Sequence, residues 1–218
     1  MEVKNDDFIK SGGNSKLLQY INRNQTALIV LHEIYGINKH IDEVCHAYHM
    51  EGYDVYCPNL LQEKGPFTYN EVDEAYGYFM NHIGFEIYIE INQEIEKLKK
   101  RYEKVFVIGF SIGATIAWRC SENNLCDGVI CCYGSRIRDY LSVLPKVPVL
   151  VAFAKHDTFQ VHPIAQILKE KEKTDVHIMD ANHGFYNPYS SHYNQIASSQ
   201  FNQIQKAFLT IHKASTSK

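Results

Sequence analysis

The sequence predicts an α/β fold: a mainly parallel central sheet with helices on both faces and no large cap domain. Short apolar segments at 27–31, 104–110 and 147–154 lack polar alternation, which marks strands buried on both faces. Segments of helical periodicity separate them, as the crossovers of a parallel sheet require. No inserted stretch interrupts this alternation.

In order along the chain, residues 1–25 form an N-terminal edge segment in which LLQYIN reads as a short edge strand or hairpin arm, and ALIVL (27–31) is the first central strand. A helix over about 40–50 stops at Glu51-Gly52, and YDVYC (53–57) is the next strand before Pro58. A turn-rich loop runs from 58 to 67. Helices are predicted over about 69–81 and 85–102, the second with acidic and basic residues three and four apart on its solvent side. KVFVIGF (104–110) is an apolar strand running into Ser111. Beyond it come a helix at 113–122, strands at 128–133 and 147–154, a helix at 161–171, a strand at 175–179, a long helix near 190–213 and a frayed tail at 214–218.

A chain of 218 residues with 45% apolar composition suits one domain with one sizeable core. A net charge of -3, from 22 basic and 25 acidic residues spread along the chain, offers no field for a nucleic acid. The longest apolar runs fall far short of the roughly 20 residues that span a bilayer. The acidic N-terminus does not resemble a signal peptide, so no membrane association and a cytoplasmic location are expected. Six cysteines without a CxxC pair read as reduced, buried thiols. Of His40, Asp42, His46 and His49, the two histidines His46 and His49 share a helix face, and no zinc-type motif accompanies them. No metal and no cofactor are expected.

Gly109-Phe110-Ser111-Ile112-Gly113 matches GxSxG in the context that gives the pattern meaning, with an apolar strand before it and a helical segment after it. The glycines are needed because a serine on so tight a turn is strained, and a side chain two residues to either side would collide with the neighbouring backbone. The turn lifts the Ser111 hydroxyl clear of the sheet and presents the Ile112 N–H at a helix N-terminus, where developing negative charge is favoured.

A serine hydroxyl needs a base and an acid to orient that base, and in this architecture they occur in the order serine, acid, histidine. Asp157 stands just past the strand at 147–154. His183 stands in Asn182-His183-Gly184-Phe185, between the last strand and the final helix. Asp180, His156 and His177 are less well placed rivals. The expected roles are Ser111 as nucleophile, His183 as general base and then acid, and Asp157 as the group that orients the imidazole and stabilises its cation.

The first central strand leads into His32-Glu33-Ile34-Tyr35-Gly36, the loop that supplies a second oxyanion donor in such folds. LHEIYGIN with its adjoining helix, EGYDVYCPNLL, GFSIG, Asp157 after its strand, and NHGF occur in this order over about residues 26–210. Together they resemble the dienelactone hydrolase family of the α/β-hydrolases. The resemblance implies an α/β-hydrolase fold, a compact active site, an oxyanion hole made by the backbone N–H groups of Ile34 and Ile112, and a Glu33 that faces and tunes the nucleophile. A buried structural carboxylate is the other reading of Glu33.

Two departures from the family pattern bear on chemistry. Ser111 stands where its best-known members carry cysteine. Phe185-Tyr186-Asn187-Pro188 stands where dienelactone-cleaving members place an arginine, and no arginine lies between Arg23 and Arg101. A small neutral ester, thioester or lactone is therefore expected rather than a carboxylate-bearing one. Tyr35, Phe110, Phe185 and Tyr186 are the expected pocket lining. The aromatics between Phe67 and Tyr88 form either further wall or ordinary core. An acyltransferase with the same triad and a catalytically silent binding module are the competing functions; the partner is a small-molecule substrate, and the protein is a monomer or small homo-oligomer.

Overall fold

Burial on both faces explains why the central strands are apolar throughout. In the computed structural model, which describes residues 17–62 and 64–214, β2 (Thr26–Leu31) and β5 (Gly128–Cys132) are buried at every position, and β4 (Lys104–Phe110) at all but its first. With β1 (Leu17–Tyr20), β3 (Asp54–Pro58), β6 (Val149–His156) and β7 (Thr174–Asn182) they form a seven-stranded sheet ordered β1-β3-β2-β4-β5-β6-β7. Only β1 runs antiparallel to its neighbour; every other pairing is parallel. This is the α/β-hydrolase-like architecture expected.

The helices are α1 (Lys39–Met50), α2 (Val72–Tyr78), α3 (Tyr88–Lys99), α4 (Ile112–Cys120), α5 (Val161–Lys169) and α6 (Gln195–Ala214). Strand side chains alternate between two cores. Ile29, Val105, Val107, Val129 and Val151 pack with α3, α4 and α5. Leu28, Val30, Phe106, Ile108, Ile130 and Leu150 pack with α1 and α6.

Several boundaries differ from expectation. The helix expected at 69–81 is α2 continued by a π-helical turn, Phe79–Ile83, and the helix expected at 85–102 begins with a 3-10 turn, Phe85–Ile87. Gly84, at φ +69°, separates them. The last helix starts at Gln195 rather than 190, because Asn194 accepts a hydrogen bond from the Ala197 N–H and so caps it there. That helix also runs through Ala214, where the frayed tail was expected to begin. β7 is longer than 175–179 and takes in Asp180, and a 3-10 turn at Ser135–Asp139 succeeds β5 unannounced. The expected segment at 1–16 and the tail at 215–218 lie outside the described residues.

Register brings the site together. Leu31 pairs with Gly109, Phe110 with Cys132, and Cys132 with Ala152, so β2, β4, β5 and β6 deliver their C-terminal loops to one edge of the sheet. That carboxyl edge is where open α/β sheets carry their sites.

Candidate active site

Ser111 has φ 55° and ψ −113°, a conformation that non-glycine residues rarely hold. Its surroundings leave no room for relief. A Cβ on Gly109 would lie 2.1 Å from the Gly113 carbonyl oxygen, and one on Gly113 would lie 2.2 Å from that of Leu31. The turn therefore needs glycine at both places, and α4 starts immediately behind the hydroxyl.

The Ser111 Oγ lies 3.0 Å from His183 Nε2, and His183 Nδ1 lies 2.8 Å from Asp157 Oδ2. Asp157 also accepts from the Thr158 amide and hydroxyl through Oδ1. Its side chain is 1% exposed, and that of His183 is 32% exposed. Burial alone would raise the Asp157 pKa, but the His183 imidazole and the Thr158 donors outweigh it and hold the carboxyl below its ordinary value. An ionised Asp157 can only accept, so His183 carries its proton on Nδ1 and turns the Nε2 lone pair toward the serine. A register irregularity between Ala154 and His156 bends the end of β6 just before Asp157, and Gly184 at φ +83° turns the chain after the histidine.

The rival groups lie elsewhere. Asp180 is an exposed partner of Lys155 and His156, and His177 pairs with Asp175. Of the four histidine-helix residues considered for a metal, His40 is buried against Phe110 and Tyr186, and Asp42 accepts a hydrogen bond from Tyr20.

Glu33 is 4% exposed and accepts from Asn187 Nδ2 at 3.0 Å. Burial raises its pKa, opposed by the charge of the nearby His183 and by Asn187 as donor, with Tyr133 close by. Asn187, itself 1% exposed, is held by Tyr69, whose hydroxyl is also bonded by Asn38. Tyr35 packs edge-on against Tyr69, with ring centroids 4.8 Å apart. The Ile34 amide, in the loop after β2, and the Ile112 amide, at the start of α4, donate to no backbone carbonyl among the described residues.

The expected pocket residues separate. Tyr35 is half-buried beside Glu33, whereas Phe110 and Phe185 are fully buried in the core beneath α1 and α6. Tyr186 stacks on Phe110 and donates its hydroxyl to Asn202 of α6. The strand alternation that sends Phe106 and Ile108 to that core sends Phe110 with them. Of the aromatics at 67–88, Phe67, Phe79 and Phe85 are core and Tyr69 reaches the site. Asn187 and Tyr133 went unrecognised beside the site, and Tyr69 was expected only as part of a possible aromatic wall. Only the position of Asn187, four residues after His183, carried a signal.

The model of the dienelactone hydrolase family matches residues 17–212. The protein YczH of Bacillus subtilis (strain 168) is 42% identical over 171 residues, 77% of this chain and 84% of that one. Among solved structures, a dienelactone hydrolase-like promiscuous phosphotriesterase from metagenomic libraries superposes with a TM-score of 0.69 at 15% identity, covering 86% of each chain. Est1E of Butyrivibrio proteoclasticus, solved with ferulic acid, gives 0.66 at 12% identity over 91% of this chain and 96% of that one. At these identities the structures establish the fold alone. No described helix is long and apolar enough to cross a membrane.

Proposed function

Because the chain belongs to the dienelactone hydrolase family and is thus a hydrolase of the ester- or lactone-cleaving type, we propose that it works through an acyl-serine intermediate on Ser111 and favours small neutral substrates. The observation that carries this reading is the continuous chain Ser111 Oγ, His183, Asp157, with links of 3.0 and 2.8 Å, on a serine held at positive φ.

In this mechanism His183 Nε2 takes the Ser111 proton as Oγ attacks the carbonyl carbon. The resulting oxyanion is received by the Ile34 and Ile112 N–H groups. His183 then gives the proton to the leaving alcohol as the carbon–oxygen bond breaks. Water, deprotonated by the same imidazole, releases the acid and restores Ser111. Asp157 stabilises the imidazolium in each half-reaction. The raised pKa of Glu33 favours its uncharged form, which limits the negative charge set near the developing oxyanion.

Substrate charge depends on the same neighbourhood. Four residues after the histidine stands Asn187, whose amide is already committed to Glu33 and Tyr69. An acyl group bearing a carboxylate would meet a buried acid there instead of a bidentate cation. One domain with reduced thiols in the cytoplasm completes the proposal, supported by six cysteines that are all free and buried. The test is turnover of paired esters that differ only by a carboxylate on the acyl side. The neutral member should be preferred by at least about tenfold in kcat/KM, a difference of about 1.4 kcal/mol. Preference for the anionic member would reject the substrate class.

A further inference from the structure

His32 is fully buried and stands outside the chain formed by Ser111, His183 and Asp157. Both of its ring nitrogens are engaged. The Leu60 backbone N–H donates to Nε2 over 2.9 Å, and Nδ1 lies 2.6 Å from the Glu33 carbonyl oxygen. An amide N–H only donates and a carbonyl only accepts, so the proton sits on Nδ1 and the lone pair on Nε2. Burial, the largest influence, keeps the ring neutral by lowering its pKa to about 4.

The Glu33 carbonyl accepts a second hydrogen bond, from the Gly36 N–H at 3.2 Å. Two donors therefore hold one peptide plane. That plane also carries the Ile34 N–H, which in a trans peptide points opposite to the carbonyl. The loop is braced further along as well. The Tyr35 carbonyl accepts from the Phe67 amide at 2.9 Å, and a Cβ on Gly36 would meet Leu61 at 3.1 Å and Pro66 at 3.3 Å. On its other side the loop abuts the serine turn, since a Cβ on Gly113 would lie 2.7 Å from the His32 carbonyl oxygen.

We infer that His32 is a positioning residue for the oxyanion site: its Nδ1–H fastens the Glu33 carbonyl and so keeps the Ile34 N–H aimed at the oxygen of the carbonyl attacked by Ser111. This rests on the proposed acyl-serine chemistry and adds to it a residue that touches no substrate. A merely structural anchor would act through the Leu60 contact instead. The two contacts use different ring nitrogens, so substitution separates them. The side-chain amide of asparagine falls where Nδ1 lies and can still donate to Glu33. That of glutamine reaches the Nε2 position and can still accept from Leu60.

The experiment compares His32→Asn and His32→Gln with the unaltered enzyme, reading kcat and KM on a short p-nitrophenyl ester and inhibition by a trifluoromethyl ketone, which forms an oxyanion on the serine. His32→Gln should lose about 10²-fold in kcat and in inhibitor affinity, with KM changed by no more than a few-fold, the pattern of a lost oxyanion donor. His32→Asn should stay within about tenfold of the parent. Undiminished kcat in His32→Gln, or equal losses in both variants, would overturn the inference while leaving the acyl-serine reading intact. A parent enzyme inert on every ester would instead reject that reading. Should neither variant fold, ¹⁵N NMR of the unaltered protein decides: His32 must show a protonated Nδ1 and a bare Nε2, and the opposite tautomer overturns the clamp.

Discussion

Asn187 Nδ2 donates to Glu33 Oε2 across 3.0 Å, joining two residues 154 positions apart in the chain. The bond ties the loop after β2 to the loop that carries His183, and both partners are buried. Burial denies the carboxyl a replacement donor from solvent, so loss of the amide is felt directly.

Replacing Asn187 with alanine removes that donor without removing the acid. A buried polar group left without its partner costs about 1–3 kcal/mol, and Asn187→Ala should be destabilised by that amount in urea unfolding. Because the amide lowers the Glu33 pKa, the variant's Glu33 should titrate still higher. Unchanged stability would mean that the contact contributes nothing.

Glu33 also gives stability a pH dependence of definite sign. Its folded pKa is raised by burial, so the stabilisation it contributes is complete below the unfolded carboxylate value of about 4.3 and is lost as pH rises through the folded value. Glu33→Gln, whose side-chain oxygen still accepts from Asn187, should become progressively more stable than the parent over that rise and then level off. Unfolding curves collected from pH 4 to 9 test it; a stability difference that is flat with pH would contradict the assignment.

The backbone at Ser111 makes a separate prediction. At φ 55° and ψ −113° a side chain is strained by about 1–3 kcal/mol, and glycine relieves this at an unfolded-state entropy cost of about 0.4–1 kcal/mol. Ser111→Gly should therefore be more stable than Ser111→Ala by about 1 kcal/mol, with both variants inactive. A less stable glycine variant would show that the turn is not strained.

How far the sequence reveals this site depends on distance along the chain. The buried strands were legible because burial on both faces leaves an unbroken apolar run, and the candidates Ser111 and Asp157 because each succeeds such a strand, whereas His183 follows the partly exposed β7 and was legible from its place between the last strand and the final helix. Helix ends were less so: Asn194 as the cap of α6 and Gly84 as a break are single-residue effects inside otherwise helical patterns. Phe110, Phe185 and Tyr186 looked like pocket residues because they flank the motifs. Strand alternation decides the direction of Phe110 and contacts with α6 those of Phe185 and Tyr186, and these take them into the core. Of the Glu33–Asn187–Tyr69 network, Glu33 was expected at the site and Tyr69 in a possible aromatic wall, but their junction through Asn187 was not legible. Its members come from three loops, and only folding places them together.

The most direct test of the central claim is labelling of the purified protein with a fluorophosphonate, mapped by mass spectrometry, beside hydrolysis of short p-nitrophenyl esters by the parent and by Asp157→Asn. A single adduct on Ser111 is expected in an active parent, with a loss of turnover on the order of 10⁴-fold in the variant. A folded parent that neither labels at Ser111 nor turns over any ester, or labelling undiminished in Asp157→Asn, would contradict that claim.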